Sequence, residues 1–474
     1  MTKRPNELTI EEVARALRAR EFSVRELWDA CAEAAQEKNP ELNAYLELFE
    51  ADDAAIAAAQ KRIDENDSSL LCGIPLAIKD NILIEGKIAS AASQMLSNYR
   101  ATYDATVIQK LKAAGALFLG RTNMDEFALG GSTENSAFGP TRNPHDTSRV
   151  SGGTSGGSAA AVAAHLCIAA LGTDTGGSVR NPASFCGVVG LKPTYGGVSR
   201  SGIIAAASSF DQVGPLAKTS EDARILYDAI HGHDPMDATS IPDGLYAPRA
   251  VGEKLRIGVL KTLVSKEGVD EDVRALFSAT LEKLTTLGHT LVDIEIPEVD
   301  PALAAYYIIN FAEVSTNLAR FDGIRYGRAV RGDTLLDDYV RSRSEGFGPE
   351  TRRRILLGTY VLSSGYIDAY YRKADTARGV LRQAFEKAFD TCDVIATPTM
   401  PTPAFKMGEK SDPLAMYLED IFTVTANLTG MPAISVSMGS VEREGSKLPV
   451  GMHFTAPHQA ENVLCALGAA VEKA

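Results

Sequence analysis

Apolar runs and polar segments alternate along this chain, and the alternation predicts strands and helices in turn. The first forty residues read as two helices. Thr9-x-x-Glu12 and Ser23-x-x-Glu26 each fit a capping box, in which a hydroxyl and a carboxylate satisfy free backbone N–H groups reciprocally. The apolar run 71–78, with Pro75 near its start, predicts a strand that delivers Lys79 and Asp80 at its end. Residues 106–114 read as a helix and 116–119 as a buried strand. The Gly/Ser/Thr-rich segment 151–157 predicts a loop, and the small residues of 158–164 a helix packed tightly in the interior. Residues 165–172 return as an apolar strand. Further strands are predicted at 255–260, 291–296, 394–396, 434–438 and 448–454, and helices at 220–230, 270–287 and 350–390. This order predicts an α/β protein with a large mixed β-sheet core flanked by helices on both faces. With no repeat, linker or composition break, residues 1–474 read as one domain.

Composition narrows the class. Of 474 residues 45% are hydrophobic and 23% charged, which excludes a disordered or fibrous chain. Lys and Arg number 48 against 61 Asp and Glu, a net charge of −13 that repels phosphate backbones. The six cysteines are scattered with no C-x-x-C pair, so reduced, mostly buried thiols are expected. The N-terminus runs into acidic residues without an apolar leader, and the small-apolar stretch 159–172 is too short to span a bilayer. A cytoplasmic protein is the expectation.

The densest chemical signal is Gly152-Gly153-Thr154-Ser155-Gly156-Gly157-Ser158, followed by Gly172-Thr173-Asp174-Thr175-Gly176-Gly177-Ser178-Val179-Arg180. Taken alone, such a loop fits a flexible turn, a phosphate cradle or a close backbone crossing. Residues 115–122 imitate a G-x-x-x-x-G-K-[ST] phosphate loop, but Arg121 replaces the lysine and the intervening residues are apolar and strand-forming. The seven histidines form no H-E-x-x-H motif, and there is no G-x-S-x-G elbow; His231 and His233 sit at a predicted helix end. The alternative base is Lys79. An exposed lysine, with a pKa of about 10.4, is useless as a base at neutral pH. Burial penalises the ammonium and lowers that value, so a lysine ending an interior strand becomes able to take a serine proton. The rival is a lysine that snorkels to the surface.

With Lys79 upstream, the two glycine-rich segments resemble the amidase signature family and its Ser–Ser–Lys triad, with a core of about residues 71–220. The segments 123–127, 131–144, 321–327, 345–348, 356–360 and 412–417 resemble one branch of it, the A subunits of glutamyl-tRNA(Gln) amidotransferases. The resemblance implies Ser178 as nucleophile, Lys79 as base and residue 154 as the bridge, where this chain has Thr154 in place of the family's serine. Ser151 stands where the family usually has proline, and His165 where it usually has glycine. A threonine keeps the hydroxyl a proton relay needs, and adds a methyl beside the reacting centre. Backbone N–H groups around Thr175, Gly176 and Gly177 are expected to form the oxyanion hole. Glutamine is the implied substrate, with Asp420 for its ammonium, Arg354 for its carboxylate and Tyr307 lining the pocket. Arg352, Arg353 and Arg354 adjoin, and on a helix they point about 100° apart, so one of them is expected to face inward. The resemblance also implies a heterotrimer. A B subunit binds tRNA and uses ATP and Mg²⁺, a small C subunit braces the pair, and no cofactor is bound by this chain. The rival functions are a stand-alone amidase of small or fatty amides and a non-catalytic member of the complex.

Overall fold

The computed structural model describes residues 3–242, 244–245, 252 and 254–473. Among these residues thirteen strands occur in chain order: β1 (Tyr45–Leu48), β2 (Pro75–Lys79), β3 (Leu117–Thr122), β4 (Arg142–Asn143), β5 (Asp146–Val150), β6 (Ala169–Asp174), β7 (Val189–Lys192), β8 (Gln212–Ala217), β9 (Arg256–Val259), β10 (Thr290–Asp293), β11 (Val394–Pro398), β12 (Ala433–Arg443) and β13 (Ser446–Thr455). Eleven form one mixed sheet in the order β1-β3-β2-β6-β8-β7-β12-β13-β11-β9-β10, flanked by helices, and β4 and β5 make a separate hairpin. The central strands β2, β6, β7, β8 and β11 are buried at every position, and apolar and small residues make up most of each.

Both predicted capping boxes form, at Thr9 with Glu12 and at Ser23 with Glu26. The strand predicted over 71–78 starts only at Pro75, the first strand position, where a missing N–H costs no ladder bond. The strand predicted over 165–172 forms instead as Ala169–Asp174. His165 adopts a left-handed backbone (φ 59°) that ends the helix Gly156–Ala163, so the chain must turn before it extends. That conformation accounts for a glycine preference at this position. The helix predicted over 350–390 is two helices, Pro349–Val361 and Tyr371–Ala388, with Gly365 at positive φ between them.

Topology creates the site. β2 pairs in parallel with both β3 and β6, with Lys79 opposite Thr122 and Ile78 opposite Leu171. The carboxyl ends of all three strands therefore reach the same edge. Lys79, the turn after Thr122 and the turn after Asp174 meet there, as expected for a ligand site in a parallel sheet. The glycines of segment 152–157 are demanded by close approach of neighbouring side chains and backbone. A Cβ on Gly153 would lie 2.2 Å from Asp125 Oδ2, and one on Gly157 2.4 Å from the Ala44 carbonyl oxygen. Of the three readings open for this loop, the close crossing is the one realised. Residues 117–122 are strand β3, which removes the phosphate-loop alternative.

Candidate active site

Lys79 is fully buried. Its Nζ lies 2.8 Å from Thr154 Oγ1, 2.8 Å from Ser155 Oγ, 2.9 Å from Thr173 Oγ1 and 3.2 Å from the Thr173 carbonyl oxygen. Burial pushes its pKa down to about 7, against the opposing pull of the Asp125, Asp174 and Asp211 carboxylates. An ammonium offers three protons and no lone pair, whereas the neutral amine offers two protons and one lone pair. The neutral form can spend its two N–H bonds on Ser155 and Thr173, which leaves the lone pair for the Thr154 hydroxyl. That is the state able to accept a proton. Amide-hydrolysing activity is therefore expected to rise with pH along an acid limb centred near pH 7, falling about tenfold per pH unit below it. A kcat/KM profile flat from about pH 5.5 to 8 would remove Lys79 as the base.

Thr154 follows a cis peptide bond from Gly153 and is fully buried. Ser178 is nearly buried, and its carbonyl oxygen accepts the Ser155 N–H at 3.1 Å. The structure joins Lys79 to Thr154 and sets Ser178 beside Ser155. Among the described residues the Ser178 hydroxyl makes no hydrogen bond, so the Thr154–Ser178 link is open in this state. Catalytic hydrogen bonds are often open without substrate.

Asp174 organises the loop that carries Ser178. Its oxygens accept the N–H groups of Gly177 (3.0 Å) and Val179 (3.1 Å), and it forms a two-point ion pair with the fully buried Arg180 (2.9 and 3.0 Å). Burial works to raise the Asp174 carboxyl, but the Arg180 guanidinium outweighs it and holds the group below the ordinary carboxylate range. The arrangement corrects one expectation. The Gly177 N–H is already committed to Asp174, so it is not a free oxyanion donor. The unpaired donors of this loop, among the described residues, are the N–H groups of Thr175, Gly176 and Ser178. The loop is pinned from outside by Thr175 Oγ1 on Asp211 (2.7 Å) and by Thr423 Oγ1 on the Gly176 carbonyl (2.6 Å).

The three expected pocket residues come together. Tyr307 donates its hydroxyl to Asp420 at 2.6 Å, and the Arg354 guanidinium lies 5.6 Å from the Tyr307 ring centre. Arg354 is buried while Arg352 and Arg353 are exposed, so helix geometry turns Arg354 inward as the 100° spacing requires. Its Nε donates to Glu350 Oε1 at 2.7 Å and its Nη1 to Asn310 Oδ1 at 3.2 Å. Tyr417 stacks on Tyr307 with ring centres 4.1 Å apart. Among the described residues the Asp420 carboxyl has one hydrogen-bond partner, the Tyr307 hydroxyl, and burial pushes it up to about 7. A buried carboxyl with a single donor either keeps its proton or is stabilised as the anion by a cation that reaches it. The pocket reaches the Ser178 loop through Thr423, three residues after Asp420, whose hydroxyl holds Gly176.

Sequence reading did not single out Ser155, Thr173, Asp125, Glu350 or Asn310. Glu350 carried a signal, its i,i+4 spacing to Arg354 on one helix face. The others are recruited by the fold. Asp125 accepts the N–H groups of Thr133 and Asn135, which lays segment 130–135 against the 152–154 loop. Among the described residues no group of three or more His, Cys, Asp or Glu could hold a metal ion, and no helix is long and apolar enough to cross a membrane.

Comparison with known proteins gives a family and relatives. The family model described as Amidase matches residues 26–465. The A subunit of the glutamyl-tRNA(Gln) amidotransferase of Koribacter versatilis is 50% identical over 99% of this chain and 98% of that one. The protein of the same name from Desulfatibacillum aliphaticivorans is 47% identical over 99% and 97%. Among solved structures, the A subunit of the Thermotoga maritima glutamyl-tRNA(Gln) amidotransferase matches with a TM-score of 0.82 at 39% identity, covering 100% of this chain and 96% of that one. The peptide amidase of Stenotrophomonas maltophilia matches with a TM-score of 0.81 at 28% identity, covering 98% and 96%.

Proposed function

The chain belongs to the amidase family, and from that premise we propose that it is the glutamine-hydrolysing A subunit of a cytoplasmic Glu-tRNA(Gln) amidotransferase. The observation that carries the choice of substrate is the buried Asp420, whose carboxyl is bonded among the described residues only to Tyr307, in one pocket with the buried Arg354. A free α-amino acid brings an ammonium and a carboxylate, the two charges these groups complement. A simple or fatty amide brings neither.

Neutral Lys79 takes the Thr154 proton while Thr154 takes the Ser178 proton, as Ser178 Oγ attacks the glutamine carboxamide carbon. The oxyanion settles against the N–H groups of Thr175, Gly176 and Ser178. Each such donor is worth about 10²–10³ in rate. The relay runs backward to protonate the leaving nitrogen as the C–N bond breaks, giving ammonia and a glutamyl ester on Ser178. Water, deprotonated through the same relay, hydrolyses the ester to glutamate. Ammonia passes to the partner B subunit, which binds the tRNA and activates its glutamyl side chain with ATP and Mg²⁺, and a C subunit braces the pair.

Uncovered apolar side chains support assembly. Leu356 (70% exposed) and Tyr360 (47%) lie on the outer face of the helix that turns Arg354 inward. Leu414 (64%) and Leu418 (50%) flank the Tyr417 that stacks on Tyr307. Such patches mark protein contacts. The test measures glutamate release from glutamine by the full chain alone, then with B and C subunits, Glu-tRNA(Gln), ATP and Mg²⁺. Strong stimulation by the complete system is expected. Rapid unassisted turnover of simple amides, with none of glutamine, identifies a stand-alone amidase instead.

A further inference from the structure

Tyr306 and Tyr307 are neighbours on the helix Ala302–Asn317, and they point to opposite ends of the site. Tyr307 meets Asp420 in the pocket. Tyr306 is buried between Phe210 and Tyr307, with ring centres 5.2 and 5.0 Å away, and its hydroxyl presses on Gly176. A Cβ on Gly176 would fall 2.2 Å from the Tyr306 oxygen. The Tyr306 hydroxyl donates to no acceptor among the described residues, and its one hydrogen-bond contact is the Asn310 amide at 3.5 Å. Asn310, one turn further along and equally buried, accepts Arg354 Nη1 at 3.2 Å on its other face. A continuous line of buried contacts thus runs from Arg354 through Asn310 and Tyr306 to Gly176.

We propose that Arg354, Asn310 and Tyr306 form a positioning relay that couples capture of the substrate's α-carboxylate to the geometry of the oxyanion loop. This rests on the glutaminase reading above. A carboxylate binding the free side of the guanidinium pulls it against its bond to Asn310. The Asn310 carboxamide is planar and rigid, so a shift at its oxygen is delivered at its nitrogen, against Tyr306. Tyr306 meets the loop directly at Gly176, where any larger residue would collide with its hydroxyl. The carboxylate then contributes to turnover as well as to affinity. An amide without it binds more weakly and also reacts in a less well-formed hole.

The test compares glutamine with 4-aminobutanamide, which keeps the ammonium and the amide and lacks the carboxylate. With the wild-type complex kcat is expected to be at least about tenfold higher on glutamine. Asn310→Leu is expected to lower kcat on glutamine about tenfold, with KM changed less than about threefold, and to lower kcat on 4-aminobutanamide by about threefold at most. Asn310→Ala removes both contacts without adding a charge or a new acceptor for the Tyr306 hydroxyl. It should show the same split if the leucine variant folds poorly. Tyr306→Phe is expected to lower kcat on both substrates. Equal losses on both substrates in the Asn310 variants mark a merely structural role and overturn the relay, as does no loss on either. A wild-type complex that does not hydrolyse glutamine overturns the functional reading itself, a result separable from any variant's.

Discussion

Lys79→Met is expected to lower glutamine hydrolysis by on the order of 10⁴–10⁶-fold, as removal of a member of an interdependent triad does, while changing stability in a pH-dependent way. The first effect follows from geometry. No other lysine, histidine or carboxylate is hydrogen-bonded to Thr154 among the described residues, so nothing stands in for the missing lone pair. The second follows from linkage. In the unfolded chain the lysine titrates near 10.5, and in the fold near 7. Between those values the unfolded state holds more protons, so stability rises with pH across that window. Below pH 7 the full penalty of a buried ammonium applies, on the order of 5 kcal/mol. Methionine removes that penalty but leaves the Thr154 hydroxyl without a partner among the described residues, at about 1–3 kcal/mol, while Ser155 keeps Thr173 and the Thr173 hydroxyl keeps Asn81. The two contributions oppose each other, and only the first depends on pH. The denaturation midpoint of the variant relative to wild type should therefore fall steadily from pH 7 to pH 10. A difference that stays constant over that range would show that Lys79 is charged in the fold at neutral pH, and the proton relay would lose its base.

What the sequence revealed and what it hid divide along a physical line. Local chemistry was legible. The capping hydroxyls at Thr9 and Ser23 act within four residues of themselves, and the apolar run ahead of Lys79 announced a buried strand end. Helix spacing was enough to say that one arginine of the trio faces inward, and the fold makes it Arg354. Strands β1, β7 and β8 were missed because they are short and rich in Gly, Gln, Pro and Glu, and are strands only through their neighbours in the sheet. The Gly177 N–H was expected to face the substrate from the glycine pattern alone. What that pattern does not carry is that Asp174, three residues earlier, curls back to claim it. Thr173 shows the same limit. It lies just past the strand predicted over 165–172, in the second glycine-rich segment, and becomes a partner of Lys79 only because β2 and β6 run side by side in parallel.

Arg180→Met is expected to be the most destabilising single change at this site, costing about 3–5 kcal/mol as the removal of one partner from a buried ion pair does. Arg180 is fully buried and satisfies four groups at once: both Asp174 oxygens, Asn427 Oδ1 at 2.7 Å, the Thr423 carbonyl at 2.9 Å and His453 Nε2 at 2.9 Å. Burial and the adjacent guanidinium keep His453 neutral, so its Nε2 accepts from Arg180 while Nδ1 donates to Thr397 at 3.2 Å. Methionine fills the volume and strands the Asp174 charge with only backbone and Asn427 donors. The pH dependence carries the signature. Because the Asp174 pKa is depressed in the fold, its stabilising contribution is complete above the unfolded value of about 4 and fades as pH falls below that. Wild type should therefore lose its advantage over the variant in acid, read as converging thermal midpoints below about pH 4. The double variant Asp174→Asn, Arg180→Met removes both charges and should recover a substantial part of the lost stability, since the cost lies in the unpaired carboxylate and not in the missing arginine. It should not recover activity to the same degree. Asparagine offers one acceptor oxygen where the Gly177 and Val179 N–H groups use two, so the loop that carries Ser178 stays loose in a chain that is stable again. Equal recovery of both would mean that Asp174 holds the fold together without shaping the hole.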